Sequence, residues 1–187
     1  SIAETSGHLF KPRPAYRFQG VTPTMQFFPE ASTGSDPKYG ASLHYWMDEV
    51  DKDQKTTIYI TNASGDTVRT LPQKPKVGMN RVFWNLRGEN SKAIVMRTKP
   101  QFADWVELDK NRTRKSTIAP FSILLPPGNY KVHLKSGDAI QTEDLEVLKD
   151  PNSEGTMADI TKQTDMMQKI TEASANCAGM INTMDRL

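Results

Sequence analysis

The chain has 187 residues, with 24 Lys and Arg against 22 Asp and Glu, three His and a single Cys. This length suits one domain with an appendage or two small domains, and a formal charge of +2 is too small to indicate a polyanion partner. A mean hydropathy of −0.60 argues against a membrane protein, and one cysteine excludes both an internal disulfide framework and a cysteine-based zinc site.

Residues 1–40 form the first segment, and prolines interrupt it at short intervals. The prolines are Pro12, Pro14, Pro23, Pro29 and Pro37. Because proline removes a backbone donor and fixes φ, we expect an irregular leader or linker here. A short apolar element at 8–10 is able to dock on another module.

From residue 41 to 149 the pattern changes to short runs in which polar and apolar residues alternate. Such alternation is typical of half-buried antiparallel strands. Strands are predicted over 41–48, 56–61, 67–71, 81–87, 121–125, 129–135 and 139–148. Their turn-punctuated spacing and the near absence of helix signals predict a mainly β fold, an antiparallel β-sandwich of the immunoglobulin or fibronectin type.

Residues 88–118 interrupt this pattern and are predicted to form an excursion from the sandwich. A structureless loop of roughly 30 residues is uncommon in a compact domain, so we expect one or two short extra strands. A basic patch in the excursion, formed by Lys110, Arg112, Arg114 and Lys115, has the chemistry to contact phosphate or an acidic glycan. Neighbouring Glu107 and Asp109 dilute its charge, and we therefore expect no nucleic-acid partner.

Residues 150–187 are predicted to be a linker followed by a long amphipathic helix that starts near Thr156, a favourable N-cap. Apolar residues recur seven apart in two series, which we interpret as one continuous stripe. The expected interface residues are Ile160, Met167, Ile170, Cys177, Ile181 and Met184, and Cys177 is interpreted as a small buried apolar residue. The helix would be about 45 Å long, against about 20 Å for a sandwich strand, so we expect another helix to cover part of it.

Several motifs resemble those of a known family. The hairpin 58–71 resembles the Ig-like repeat of the flagellar hook-capping protein, with an apolar strand, a polar-Gly turn and Val-Arg-x-Leu. Residues 78–87 resemble a G-x-N-R-x-x-W-D-L-R stretch, with Asn85 where the pattern has Asp. Residues 126–132 resemble P-P-G-x-Y-x-V, and 149–163 resemble K-D-P-N followed by A-D-I-x-x-Q.

In this order the motifs are similar to the C-terminal region of bacterial sialidase-like and sortilin-like β-propeller proteins. Those proteins carry BNR (Asp-box) repeats and are labelled glycosyl hydrolases. Residues 8–17 also resemble the segment by which such chains leave the propeller.

The resemblance implies a non-catalytic interaction or structural module of a larger secreted or cell-envelope protein. In such proteins the propeller carries any catalytic residues, so no catalytic residue is carried over to this chain. The resemblance implies the propeller and a second helix after Leu187 as partners, and the apolar stripe of the helix indicates either such a second helix or a second copy of the chain. We expect no cofactor, no metal and no membrane partner. The acidic residues between 48 and 53, with Asn62 and Asp66, are interpreted as a solvated turn rather than a calcium site.

An alternative function depends on aromatic side chains. Tyr45, Trp84 and Tyr130 lie on the inward faces of their predicted strands and are expected in the core. Trp46 and Phe83 are predicted to face outward, and Trp105 lies in the excursion. Exposed aromatic rings are able to stack on sugars, so these three residues define a candidate carbohydrate-binding face. Contact with the excursion, the helix or another domain is the simpler explanation for them.

Overall fold

The chain is mainly β, with one C-terminal helix. A computed structural model describes residues 7–18, 38–51, 55–116 and 120–185. Contacts divide the chain into two compact units. The first unit comprises Ser1–Arg87 and Leu124–Met157, and the second comprises Gly88–Ile123 and Ala158–Leu187.

The first unit contains a three-stranded antiparallel sheet in the order β1-β3-β6. Its strands are β1 (Gly7–Leu9), β3 (Ala41–Met47) and β6 (Gly78–Trp84). The register joins Ala41 to Trp84 at one end and Met47 to Gly78 at the other. Strands β3 and β6 confirm two of the predicted strands.

A five-stranded sheet, in the order β2-β10-β9-β4-β5, completes the first unit. Its strands are β2 (Ala15–Arg17), β4 (Thr56–Thr61), β5 (Thr67–Gln73), β9 (Gly128–Ser136) and β10 (Ala139–Lys149). All neighbours are antiparallel except β2, which runs parallel to β10. Strand β5 contains Pro72, and its position at the sheet edge fits a residue that lacks a backbone donor.

The inward faces of the strands form the core, because period-two alternation turns every second side chain toward it. The buried residues include Leu43, Tyr45, Ile58, Ile60, Trp84, Val132, Leu134, Leu145 and Val147. Trp84 and Tyr130 meet edge to face with ring centroids 5.5 Å apart. The polar atoms of these two side chains are satisfied locally: Trp84 Nε1 donates to the Arg87 carbonyl at 2.9 Å, and the Tyr130 hydroxyl donates to the Pro126 carbonyl at 2.7 Å. The predicted core aromatics are thus confirmed.

Residues 7–18 correct the expectation of an irregular leader. Strand β1 pairs with β3, and β2 pairs with β10, so this segment contributes an edge strand to each sheet. Each strand has only three residues, which is too short for periodicity to reveal it. The Gln141 side chain accepts from the Leu9 amide at 2.7 Å and helps to hold β1 in position.

Two of the predicted strands, 121–125 and 81–87, differ most from the structure. Residues 121–125 form only an isolated bridge between Leu124 and Arg87, together with a bond from the Leu125 amide to the Leu86 carbonyl at 2.9 Å. Strand β6 ends at Trp84 rather than at residue 87. The cause is Leu86, which is fully buried but has a φ of 58°, outside the extended region.

The second unit contains the excursion and nearly all of the helix. Strands β7 (Val95–Met96) and β8 (Arg114–Lys115) pair antiparallel, which confirms the predicted short extra strands. Helix α1 spans Met157–Met184. In the described part of the chain, no helix is both long and apolar enough to cross a membrane.

Candidate functional site

Helix α1 presents two stripes rather than one, a covered stripe of apolar and polar residues and an exposed apolar stripe. A covered stripe contains residues that are buried or half-buried: Ile160, Thr164, Met167, Thr171, Ser174, Ala178, Ile181 and Asp185. An exposed stripe lies beside it and consists of Met166, Ile170, Ala173, Cys177, Met180 and Met184. Both stripes advance in alternating steps of three and four residues, so each stays on one side of the helix.

These stripes divide the predicted helix interface. Ile160 is buried, Met167 and Ile181 are half-buried, and Ile170, Cys177 and Met184 are exposed. The interpretation of Cys177 as a buried residue is wrong, since its side chain is exposed. The two seven-residue series that looked like one stripe in the sequence are offset by three or four residues, which is about 60° or 40° around the helix at 100° per residue, and the packing covers one series while it leaves the other open.

The covered stripe ends on the excursion, where two polar residues of the helix bind the backbone of 93–97. Asn182 accepts from the Val95 amide at 2.8 Å and donates to the Ala93 carbonyl at 3.0 Å. Asp185 accepts from the Arg97 amide and, at 2.6 Å, from the Thr98 hydroxyl. These bonds lower the pKa of the Asp185 carboxyl, with the Thr98 hydroxyl contributing most.

Part of the predicted basic patch forms hydrogen bonds within the excursion. Arg114 donates to the Thr98 carbonyl at 2.9 Å across the β7–β8 pair. Asp109 closes the intervening turn by accepting from the amides of Asn111 and Thr113 at 2.8 and 2.9 Å. Lys110 and Arg112 are exposed, and Arg112 has a φ of 55° in that turn. The patch is therefore not a cluster of four free cations.

The three aromatic residues of the carbohydrate hypothesis have different surroundings. Trp46 is 37% exposed, and its indole nitrogen donates to Asp48 at 2.8 Å. Phe83 is half-buried on the same outer face of the three-stranded sheet, but at the opposite end of the register. Trp105 lies in the second unit and is 80% exposed.

Between Trp46 and Phe83, the outer face of the three-stranded sheet carries a cationic groove of about 690 Å³. It is lined by Phe10, Lys11, Arg13, Pro14, Gly40, Ala41, Ser42, His44, Met79, Arg81 and Phe83. None of these lining residues carries a carboxylate. A second cavity of about 810 Å³ shares two of these residues, Arg81 and Phe83, and adds Lys38.

Arg81 is held in position in this groove. Its Nε donates to His44 Nε2 at 2.8 Å, and its guanidinium carbon lies 5.9 Å from the centre of the Phe83 ring. Lys38 Nζ lies 5.6 Å from the centre of the same ring. Burial lowers the pKa of His44, and the charges of Arg81 and Arg13 lower it further, as expected where cations converge.

Sequence reasoning identified Phe83 but missed the groove around it. The outward positions of β6 alternate Met79, Arg81 and Phe83, which is a visible period-two signal for one wall. The other wall comes from residues 10–14, which the sequence pattern assigned to an irregular leader. Only the pairing of β1 with β3 brings that segment alongside.

The described residues contain no cluster of metal ligands. Within residues 7–18, 38–51, 55–116 and 120–185, no group of three or more His, Cys, Asp and Glu side chains could hold a metal ion. Asn62 and Asp66 bind each other instead: the Asp66 amide donates to Asn62 Oδ1 at 2.8 Å, and Asn62 Nδ2 donates to Asp66 Oδ2 at 3.1 Å. Their bonds close the β4–β5 turn. Asp53 of the acidic stretch lies outside the described residues.

Comparison with known proteins gives no relative. No family model, curated protein or solved structure matches this chain.

Proposed function

We propose that this chain is a non-catalytic interaction module of a larger secreted, glycosidase-like β-propeller protein, and that it docks on another helix through the exposed stripe of α1. The observation that carries the proposal is that stripe. It consists of six residues between Met166 and Met184, spaced in alternating steps of four and three. This is the a/d spacing by which two helices pack along a seam.

The composition of the stripe supports a protein contact. Met166, Met180 and Met184 are 66%, 60% and 64% exposed, and Ile170 is 44% exposed. Unbranched methionine side chains adapt to irregular partner surfaces, and contiguous exposed apolar residues are uncommon on surfaces that face only water. A helix partner would remove these side chains from water.

The proposed fold of the first unit is an immunoglobulin- or fibronectin-like sandwich. Two contacts support it. The Tyr130 hydroxyl donates to the carbonyl of Pro126, four residues upstream, as in the tyrosine corner of Ig domains. Trp84 packs against Tyr130 in the core, where Ig domains carry a buried tryptophan. The link to a propeller protein and its secretion rests on the motif resemblance.

Self-association tests the docking surface, because a second copy supplies the same helix when no other partner is present. We expect concentration-dependent dimers in sedimentation equilibrium, and a Cys177–Cys177 cross-link under mild oxidant. The double variant Ile170→Glu, Met180→Glu would bury two charges in the seam and should be monomeric. Gln168→Glu adds a charge on another side of α1 and should leave the dimer intact. A wild-type chain that stays monomeric at the highest soluble concentration would contradict the docking proposal.

A further inference from the structure

The cationic groove of the first unit takes no part in the proposed docking of helix α1, and its charged side chains are able to bind a ligand. We propose that this groove binds an acidic saccharide, a chain of sugar rings that carries carboxylate groups. The residues that would hold it are Arg13, Arg81 and Ser42, with Phe10 and Met79 as apolar contacts, and Lys38 adds a positive charge from the adjoining cavity. The inference is independent of the helix, whose residues belong to the second unit.

The charge of the groove selects an anion. Arg13 and Arg81 are exposed within the groove, and none of the lining residues is acidic. A guanidinium presents parallel N–H donors that match the two oxygens of a carboxylate. Lys11 also lines a separate cavity with Asp144 and Glu146, so its charge is shared and the proposal does not depend on it.

The Arg81 side chain is preorganised for such a ligand. The Nε–H donates to His44 Nε2, which leaves the two terminal nitrogens of the guanidinium for a ligand. Because His44 accepts this bond, its ring is neutral and carries its proton on Nδ1. Holding a flexible cation in one orientation lowers the entropy that binding would otherwise cost.

The position of Phe83 distinguishes an acidic saccharide from a neutral one. Sugar stacking needs an open ring face, whereas Lys38 and Arg81 both lie within 6 Å of the centre of this ring. Phe83 therefore supports cations rather than offering a platform. The apolar faces of sugar rings would instead meet Phe10 and Met79, and their hydroxyls would meet Ser42. A volume of about 690 Å³ is in the range of ligand sites.

The sheet geometry favours a saccharide over an acidic peptide. Peptides that bind sheets pair with a free strand edge, but this groove lies over the faces of β3 and β6, whose facing edges are already bonded to each other. A ligand over these two faces meets side chains, whereas a peptide would pair with the outer edge of β6, which ends the three-stranded sheet. Oligosaccharides need no backbone pairing and carry carboxylates, hydroxyls and apolar ring faces on each unit.

Calorimetric titration with an oligogalacturonate tests the proposal, and the methyl-esterified oligomer is the matched ligand control because it has the same rings without the charges. We expect binding of the acid form that weakens as salt rises, and little or no binding of the ester. The variant Arg81→Gln should weaken binding about tenfold or more, as expected for the loss of one charge-assisted bond. Lys135→Gln removes an exposed cation on β9, outside the groove, and should change the affinity little.

Three results would overturn the proposal. They are equal binding of the acid and the ester, no binding of either, and an affinity that Arg81→Gln leaves unchanged. Poly-glutamate or single-stranded DNA binding more tightly than the oligogalacturonate, with the same loss in Arg81→Gln, would reassign the groove to an acidic peptide or a nucleic acid. Arg81 is exposed, and unchanged thermal unfolding of the variant would show that lost affinity is not lost folding.

Discussion

The backbone amide of Val95 donates a hydrogen bond to the side chain of Asn182, 87 residues further along the chain. The same side chain donates to the Ala93 carbonyl at 3.0 Å, so the side-chain amide of Asn182 bonds both a backbone N–H and a backbone carbonyl of the excursion. This is how the excursion and the end of helix α1 become parts of one compact unit. The excursion is therefore the local partner of the covered stripe.

Asn182→Ala should release the C-terminal end of α1 from the excursion. The substitution leaves the Val95 amide and the Ala93 carbonyl without their partners, and we expect local stability to fall by about 1 to 2 kcal/mol at this partly buried site. Hydrogen exchange at Val95 and at residues 178–185 should accelerate, while β3 and β9 stay protected.

The control is Asn176→Ala, which makes the same chemical change at an exposed position of the same helix. Its exchange should match the wild type at Val95. Equal acceleration in both variants would mean that helix propensity, not the bond to Val95, holds this end.

Low pH should weaken the contact between helix α1 and the excursion, because it protonates the Asp185 carboxylate. Its pKa is lowered mainly by the Thr98 hydroxyl and then by the Arg97 amide, so the carboxylate form stabilises the contact. For a lowered carboxyl pKa this stabilisation is complete above the ordinary value of 3.8 and is lost as pH falls through the folded-state pKa. Carbon-detected NMR of the Asp185 carboxyl measures that titration directly.

Thr98→Val removes the hydroxyl and keeps the shape of the side chain. The pKa of Asp185 should then move up toward its ordinary value, and the contact should open at higher pH than in the wild type. A titration curve that is the same in Thr98→Val and wild type would rule out the hydroxyl as the main cause.

Among the glycines that the structure describes, Gly40 is the one whose replacement should be most damaging. Its φ is +112°, and a Cβ added there would lie 2.0 Å from the carbonyl oxygen of Trp84. Since neither the backbone strain nor the clash with a core strand can relax cheaply, Gly40→Ala should cost at least about 3 kcal/mol of unfolding free energy. Urea unfolding followed by far-UV circular dichroism measures it.

Gly65→Ala is the matched control for Gly40→Ala. Gly65 also has a positive φ, +88°, but a Cβ there has nothing within 4 Å. The cost should be about 1 kcal/mol, from backbone strain alone. Similar losses for the two variants would show that the approach to Trp84 is not the cause.

The sequence predicted the parts of the fold that repeat a local rule. Alternation over six or more residues identified β3 and β9, which bury nearly all of one face, and β10, which buries Leu145 and Val147. It could not identify β1 or β2, whose three residues are ordered by partners that are distant in the chain. The motif resemblance stays a prediction.

The exposed stripe of α1 and the cationic groove were also only partly predictable from the sequence. Heptad spacing indicated that α1 has an apolar side, but which series is covered depends on bonds that Asn182 and Asp185 make to the excursion. The groove needs Arg13 and Arg81 to line the same cavity, and the pairing of β1 with β3 brings the segment that carries Arg13 to this sheet. Spacing within one element was visible in the sequence, whereas pairing between elements was not.

The chain should lose stability between neutral and mildly acidic pH because of His133. Its ring stacks on Tyr59 at 4.5 Å, and its nitrogens bond the hydroxyls of Thr61 and Thr142 at 3.0 and 2.8 Å. Burial lowers its pKa, and the charge of Lys131 lowers it further. The unfolded chain therefore binds more protons just below pH 6.5, and the free energy of unfolding falls as pH drops through 6.5 toward the folded-state pKa.

Urea unfolding measures this dependence at a series of pH values from about 7.5 to about 5, which lie on both sides of the ordinary histidine pKa of about 6.5. His133→Gln keeps a side chain that can bond both hydroxyls but removes the titrating group, so the pH dependence should flatten. His44 also has a lowered pKa, caused by burial and by Arg81 and Arg13. His44→Gln should therefore remove its own contribution to the pH dependence of the unfolding free energy. The double variant should show the flattest profile. An undiminished slope in His133→Gln would mean that other groups carry the pH dependence.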